Sequence, residues 1–467
     1  MINRIENRYN RLASDIFIFV IGTVLSKAIQ FVLMPLYTSY MTTEAYGVAE
    51  LTNNLSELFF PIATLCIYEA AFRFAVDPEF DNSNLAATAF DVVMKSAIVG
   101  ALIALIAKYI FQYKYVIYLY FILYSYSFRM TMAYYVRGIG KSKIFAISGI
   151  INAIALGFFS ILFLVIFHTS ESGYLISIGL SYCASALYLV VFGNIPKDIR
   201  DGIKTKKNRN VLFQYCTPLI FYNILYWFTT ISGRYILNWF SDISTVGKYV
   251  AAIKIAAVIN MIQQAVYAAF QLNSSRVFSE SDKEKYYSEI NNIFIIVYFL
   301  FGSIIICFTP ILAKLTLKND FYDAKVFLPI IMLGAIINCV SSLLNTMYST
   351  YKKTSRMISV SIIGASINVI VGIILTPIIG IWGICSASVL CYFAQVIYKL
   401  YDINKFCKLN YKFIKIIPSF LLLITQVFVM SLEFKYDFII SILLMFFILV
   451  INLRDFYNMF REFKYVY

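Results

Sequence analysis

Charged side chains inside long apolar runs are the residues of this chain best placed to do chemistry. Lys27 stands near the middle of the apolar run 14–39, with Thr23 and Gln30 four and three residues away on the same helical face. A charge in hydrocarbon is costly and normally faces a partner or a wet cavity, so this lysine points to one or the other. Arg129, Arg234, Lys248, Lys254 and Lys95 also fall within apolar runs; Arg234 and Lys248 lie close enough to run ends for the charge to reach an interface. The acids are patterned too. Glu50, Asn53, Asn54 and Glu57 are spaced i, i+3, i+4, i+7, a polar helical stripe that lipid cannot solvate. Glu69 and Arg73 are four residues apart, as are Asp91 and Lys95, the spacing of an intrahelical ion pair. Tyr222, Asn223, Tyr226, Thr229, Thr230 and Arg234 line one side of a later run, and Lys254, Asn260, Gln263 and Gln264 mark the next. Such stripes can be interhelical glue; their concentration in two pairs of runs favours a polar cavity.

Several chemistries are excluded. Gly140-Lys141-Ser142 has the ending of a phosphate-binding loop, but Tyr135 stands where the first glycine is needed and no strand precedes it, so no ATPase is encoded. His168 is the only histidine, in a short loop. No HExxH or GxSxG occurs. The eight cysteines include no CxxC pair and nearly all lie in apolar runs, which argues for packing and against a zinc site or a disulfide framework. The chain therefore reads as no enzyme, with no cofactor and no metal.

The elements that position these residues follow from composition. With 61% hydrophobic residues, 14% charged and a mean hydropathy of +0.76, the chain cannot cover a water-facing surface, since soluble domains carry about 25% charge. Runs long enough to cross a bilayer recur throughout, at 14–39, 47–72, 86–108, 115–136, 144–167, 173–194, 212–238, 246–272, 290–315, 325–350, 357–377, 380–402, 415–432 and 437–453. The first follows Met1 to Arg11 without a small-residue cleavage site and reads as a retained helix. With a cytoplasmic N-terminus, 27 Lys and Arg fall on cytoplasmic segments and 6 on the opposite side. That asymmetry obeys the positive-inside rule, places both termini in the cytoplasm and requires an even number of spans. It also accounts for the net charge of +14 without nucleic acid. Pro35, Pro61, Pro218, Pro310 and Pro377 mark expected bends.

The first twelve runs read as two related halves. Tyr46-Gly47-Val48-Ala49 is echoed by Val246-Gly247-Lys248-Tyr249-Val250-Ala251, and the basic loop Arg137 to Lys143 by Tyr351-Lys352-Lys353-Thr354-Ser355. Six runs separate each pair, so the halves share one orientation, and parallel repeats of this kind place a pathway where two bundles meet. The expectation is an all-α polytopic membrane protein of about 14 transmembrane helices. Two six-helix bundles, 1–200 and 201–407, form a pseudo-two-fold parallel repeat, and 408–467 adds a helical hairpin.

At this point the residues resemble a family. Gly22, Ser26-Lys27, Pro35-Leu36 and Tyr46-Gly47 look like its opening pattern, and Arg73-Phe74 its second run's end. Tyr135-Val136-Arg137-Gly138-Ile139-Gly140-Lys141-Ser142-Lys143 is similar to its loop after the fourth run. Tyr215-Cys216-Thr217-Pro218-Leu219-Ile220, Arg234-Tyr235-Ile236-Leu237 and Val246-Gly247-Lys248-Tyr249 form the most specific stretch, and Pro377 to Gly383 resembles a Pro–Gly–Gly turn. Over residues 14–404 the chain resembles the bacterial polysaccharide-unit flippases, O-antigen or capsule type, of the multidrug/oligosaccharidyl-lipid/polysaccharide exporter superfamily. It departs at Gly233, where the family often carries Asp.

The resemblance implies a transporter that moves a polyprenyl-diphosphate-linked oligosaccharide from the cytoplasmic to the outer leaflet of a bacterial inner membrane, by alternating access. Its partners would be the lipid-linked oligosaccharide, membrane lipid and a coupling H+ or Na+; its product would feed a surface polysaccharide such as the O-antigen of lipopolysaccharide. Lys27, Arg73, Arg129, Arg234 and Lys254 are the candidates for holding the diphosphate. Glu57 is the first candidate for ion coupling, followed by Glu50 and Glu69. The alternatives are a cation-coupled multidrug exporter and a peptidoglycan-precursor flippase of the same superfamily. A cation-rich interior speaks against the exporter. A membrane glycan polymerase or glycosyltransferase would be expected to carry a large external loop with catalytic groups.

Overall fold

The computed structural model describes residues 29, 31–77, 80–277, 283–351, 353 and 355–466, and the regular elements among them are helices. Lys27 lies outside the described residues. The chain forms two compact units, one ending at Trp227 and the other beginning at Phe228.

The first unit holds α1 (Met34–Tyr40), α2 (Thr43–Ala63), α3 (Ile67–Ala75), α4 (Asn82–Phe111), α5 (Val116–Gly138), α6 (Ser142–Ser160, continued by a π turn Ile161–Ile166), α7 (Ser170–Gly193), α8 (Ile195–Asp201) and most of α9 (Lys206–Thr230). The starts are set by local chemistry. Thr42 caps α2 by accepting the Ala45 N–H at 3.1 Å, and Asp81 caps α4 by accepting from Ser83 at 2.7 Å and Asn84 at 3.0 Å, satisfying donors that a helix start leaves open. α5 is the central helix, packed against α2, α3, α4 and α7, and α6 pairs with α7.

The run expected at 47–72 is a broken span: α2 and α3 meet at 57°. Pro61 lies inside α2, and Leu65 and Cys66 take left-handed backbone angles, φ 48 and φ 53. A break inside a membrane frees backbone groups that need partners within the protein. They find them. Cys66 N–H donates to Pro61 O at 3.2 Å, Ser96 Oγ donates to Ala63 O, and the Cys216 thiol donates to Cys66 O at 3.3 Å. Asn223 donates to Cys66 Sγ at 3.7 Å and Leu219 O at 2.8 Å. Two of the cysteines read as packing residues thus close the break, and Asn223, read as cavity lining, is glue between helices.

The second unit holds α10 (Ser232–Phe240), α11 (Ile243–Val277), α12 (Lys283–Cys307), α13 (Thr309–Thr316), a 3-10 segment (Asn319–Val326), α14 (Leu328–Thr350), α15 (Arg356–Ile379), α16 (Ile381–Ile403), α17 (Phe413–Ser431) and α18 (Asp437–Val466). Much of the first unit's packing order recurs. α14 has 23 residues, as α5 has; it packs against α11 and α16 as α5 packs against α2 and α7, and α15 pairs with α16 as α6 does with α7. Extended residues at Met41 and Ser241 make the same two-residue turn before α2 and α11. Tyr135 donates to Asp198 at 2.8 Å and Tyr348 to Asp402 at 3.2 Å, each tying the end of a central helix to the chain at or just past the last helix of the set. Gly380, at φ +57 and ψ −134, makes the turn from α15 to α16. A Cβ on Gly383 would come within 2.5 Å of the Leu375 backbone, so α16 starts against α15 only where a side chain is missing.

The hairpin α17–α18 is fastened by buried polar groups. Gln426 accepts from Ser303 Oγ at 2.7 Å and donates to Ser303 O at 3.0 Å and Ser441 Oγ at 2.8 Å. At its turn Glu433 accepts from Lys325 at 2.9 Å, a hydrogen bond that holds the Lys325 ammonium above the ordinary lysine range. Gln426→Leu strands Ser303 and Ser441, and leaving buried polar groups without partners costs about 1–3 kcal/mol each. The expected result is a lowered melting temperature of the detergent-purified chain; an unchanged one would show that the network contributes nothing.

Among the described residues nine helices are long and apolar enough to cross a membrane, and the α2–α3 pair adds a tenth. Their outward faces are apolar: Ile98, Leu102 and Leu105 on α4 and Ile154 and Phe158 on α6 are all exposed. This is a multi-pass membrane protein.

Candidate anion and ion site in the first unit

The break after α2 separates the acids of the polar stripe from Glu69. Glu50 is 1% exposed and accepts a hydrogen bond from the Tyr174 hydroxyl. Tyr37 and Tyr46 complete the surround: the Tyr174 ring lies edge-on to both, at centroid distances of 4.9 and 5.7 Å. The Tyr37 hydroxyl is in turn 3.1 Å from Ser160 Oγ. Glu57, two turns further along α2, is exposed and lies within electrostatic reach of Tyr126, Tyr182 and Tyr226. The stripe that reads as one face in sequence therefore carries two different carboxylates, one enclosed and one open.

Arg129 on α5 is half-buried. Its Nε donates to Ser185 Oγ at 3.0 Å, and Ser185 Oγ donates onward to Ser148 O at 2.7 Å, which fixes one edge of the guanidinium. Its Cζ lies 5.8 Å from the centre of the Tyr182 ring, and Nη1 lies 3.6 Å from Met130 Sδ. Its other electrostatic neighbours are Tyr126 and Tyr134. Among the described residues its partners are thus a hydroxyl, a thioether and phenols, with no carboxylate. Tyr126 and Tyr182, ring centres 5.0 Å apart, sense Arg129 and Glu57 together, and Tyr182 also senses Glu50.

The set continues past the break. Glu69 on α3 is half-buried and lies within electrostatic reach of Arg137 of α5, whose guanidinium packs on Phe72 at 4.7 Å and Phe145 at 5.5 Å. The i, i+4 partner expected in sequence, Arg73, is exposed, and Tyr215 senses both Arg73 and Glu69. Tyr134 links Glu69 to Arg129. The first unit therefore gathers Glu50, Glu57, Glu69, Arg73 and Arg129 along a row of tyrosines, of which Tyr126, Tyr134, Tyr174 and Tyr182 carry no signal in the sequence.

Arg234 and Lys254 lie in the second unit, both half-buried, with Arg234 near Tyr249. A Cβ on Gly233 would meet Ile384 Cγ1 at 2.8 Å, so a side chain at this position requires Ile384 to move. Other intramembrane charges find local partners. Lys95 pairs with Asp91 at 2.6 Å as its spacing predicts, and Lys204 joins at 3.0 Å. Lys248 pairs with Asp323 at 2.6 Å. Lys399 is buried on α16 and donates to Ser341 O at 2.8 Å and Ser341 Oγ at 2.6 Å.

Comparison with known proteins agrees with this architecture. The family model described as polysaccharide biosynthesis protein matches residues 12–271, and the MatE model matches residues 218–374. No curated protein sequence matches. Among solved structures, an inward-facing multidrug resistance MATE family transporter of the MOP superfamily aligns at TM-score 0.65 and 12% identity, over 83% of this chain and 95% of that one. The lipid II flippase MurJ in an inward closed conformation aligns at 0.66 and 14% identity, over 95% and 99%. A MOP superfamily transporter from Pyrococcus furiosus, described as having a binding pocket of reversed polarity, aligns at 0.56 and 12%, over 84% and 95%. At such identities the likeness is one of fold.

Proposed function

Because this chain belongs to the polysaccharide biosynthesis protein family, we propose that it is a flippase for polyprenyl-diphosphate-linked oligosaccharide repeat units. It carries them from the cytoplasmic to the outer leaflet of a bacterial inner membrane by alternating access. The observation that carries this reading is Arg129: a guanidinium on a membrane-spanning helix, fixed along one edge by Ser185 and with no carboxylate partner among the described residues. A desolvated charge without a counter-charge is costly, and an arriving anion supplies one. The free edge of the fork matches a phosphate oxygen pair. The tyrosines beside it offer flat apolar faces with hydroxyl tips, surfaces suited to a sugar. Lys27, Arg73, Arg234 and Lys254 are proposed as further cations along the route, and Glu57, Glu50 and Glu69 as the groups that take up H+ or Na+. The recurring helix order of the two units supports a parallel repeat of six helices each, to which the two-helix hairpin is added for about 14 spans in all.

A second reading, a cation-coupled drug exporter, is favoured by the open carboxylate of Glu57 beside aromatic rings. Deleting the gene and following the labelled polyprenyl-diphosphate glycan separates the two. The flippase reading expects the glycan to build up on the cytoplasmic leaflet with surface polysaccharide lost. Normal glycan display with increased sensitivity to cationic dyes would overturn it in favour of the exporter.

A further inference from the structure

The connector between α16 and α17 is a basic strip held in a fixed shape. Residues 404–415, the connector and the first residues of α17, contain Lys405, Lys408, Lys412 and Lys415 and no acid. The backbone is pinned to one face of α12. Glu284 accepts the Lys408 N–H at 3.2 Å, Ser288 Oγ accepts the Asn410 N–H at 2.9 Å, and Asn292 Oδ1 accepts the Lys412 N–H at 2.9 Å. Asn292 also donates to Asn410 O at 2.9 Å. The register works because four helical residues rise about 6 Å, nearly the length of two extended ones, about 6.6 Å.

Pinning sorts the side chains. Cys407, Leu409 and Tyr411 are buried while Lys408, Asn410 and Lys412 are exposed. More charge gathers at the near end, where Lys353 and Arg356 both pack on Phe406 of the connector, at 4.2 and 5.7 Å. Among the described residues Asp402 is bonded to Arg356 at 2.5 Å and Lys405 at 3.5 Å, and the strip with Lys353 and Arg356 brings six cations together. Directly after Lys412 the chain enters α17, whose Phe413, Ile414, Ile417 and Leu421 are exposed, Ile414 at 90%. The lysines thus stand where an outward apolar face begins, the depth at which lipid phosphates lie.

We propose that this connector is a binding strip for anionic phospholipid headgroups. Cations at a membrane surface gain about 1 kcal/mol each from anionic lipid, and a strip fixed by α12 meets the phosphates without first losing the entropy of a loose loop. The test is native mass spectrometry of the full chain in detergent, titrated with phosphatidylglycerol or phosphatidylcholine. The wild type is expected to retain phosphatidylglycerol preferentially. Lys408→Ala with Lys412→Ala should weaken that retention about 25-fold, about fivefold per lysine, with phosphatidylcholine unaffected. Ser288→Ala with Asn292→Ala keeps every lysine but frees the connector, and is expected to weaken the preference as well. Lys141→Gln with Lys143→Gln removes equal charge from the first unit and should leave it intact. The proposal is overturned if the Lys408 and Lys412 pair of changes leaves the preference at its wild-type value, if the Lys141 and Lys143 pair lowers it equally, or if glycerol phosphate at the lipid's concentration displaces the lipid.

Discussion

Arg129→Ala will remove transport while leaving the protein folded. Among the described residues the partners of this guanidinium, a hydroxyl, a thioether and phenols, are all uncharged, so on the proposed reading its counter-charge is the anionic substrate. Truncating one side of a buried, hydrogen-bonded charge pair costs about 2–5 kcal/mol, which is about 30-fold to several thousandfold in affinity at about 1.4 kcal/mol per tenfold. Arg129→Lys should recover little, because a lysine supplies the charge without the fork that spans two oxygens. Arg129→Met separates function from structure. Replacing a desolvated charge by an apolar side chain of similar length is often neutral or stabilising, so its melting temperature should match or exceed the wild type while surface polysaccharide falls. The measurement is surface glycan at matched membrane abundance, beside a thermal melt of the purified chain. Wild-type glycan display by the Met variant would sink the assignment. A large drop in melting temperature would show that the guanidinium serves the fold.

The helices were legible in the sequence because hydropathy and a 3.6-residue period act locally. The polar stripe of α2 and the Asp91–Lys95 pair follow from that period alone. What the stripe does was not legible. Glu50 and Glu57 share a helical face, yet Tyr174, far away in sequence, encloses the first, and the second stays open. Glu69 and Arg73 have the spacing of a pair, but Arg73 is exposed and Glu69 lies within electrostatic reach of Arg137 on a different helix. The tyrosines that link these charges were hidden by abundance. With 37 Tyr in the chain, no spacing sets Tyr126, Tyr134 and Tyr182 apart. Lys399 lies near the end of an apolar run, where in sequence a loop cation and a buried one look the same. Ser341, 58 residues away, supplies its acceptors. Nor does Glu284, Ser288 and Asn292 on α12 read as a track for another segment, since a stripe of acceptors gives no hint of which backbone it will hold.

Glu50→Gln is expected to uncouple transport without loosening the fold, and Glu50→Ala to do both. The carboxylate of Glu50 accepts from Tyr174 inside a ring of tyrosines, in a place that water reaches poorly. A glutamine oxygen can accept the same bond, so the cage survives, but the side chain no longer gains and loses a charge. If Glu50 carries the coupling ion, uphill transport loses a coupling free energy of the usual size, about 1–3 kcal/mol, or about 5- to 150-fold in accumulation ratio. Its dependence on an imposed H+ or Na+ gradient disappears, while downhill exchange continues. Alanine removes the acceptor as well and strands the buried Tyr174 hydroxyl, at about 1–3 kcal/mol of stability. A purely structural Glu50 predicts the opposite separation, with Gln silent in every assay and Ala costing only stability. Glu57, being exposed, tells the two carboxylates apart, since Glu57→Gln should leave the melting temperature unchanged whatever it does to transport. Reconstituting the three variants in vesicles and imposing each gradient in turn measures these outcomes directly. Gradient-dependent transport by Glu50→Gln at the wild-type rate would place the coupling group elsewhere, with Glu57 the first residue to try.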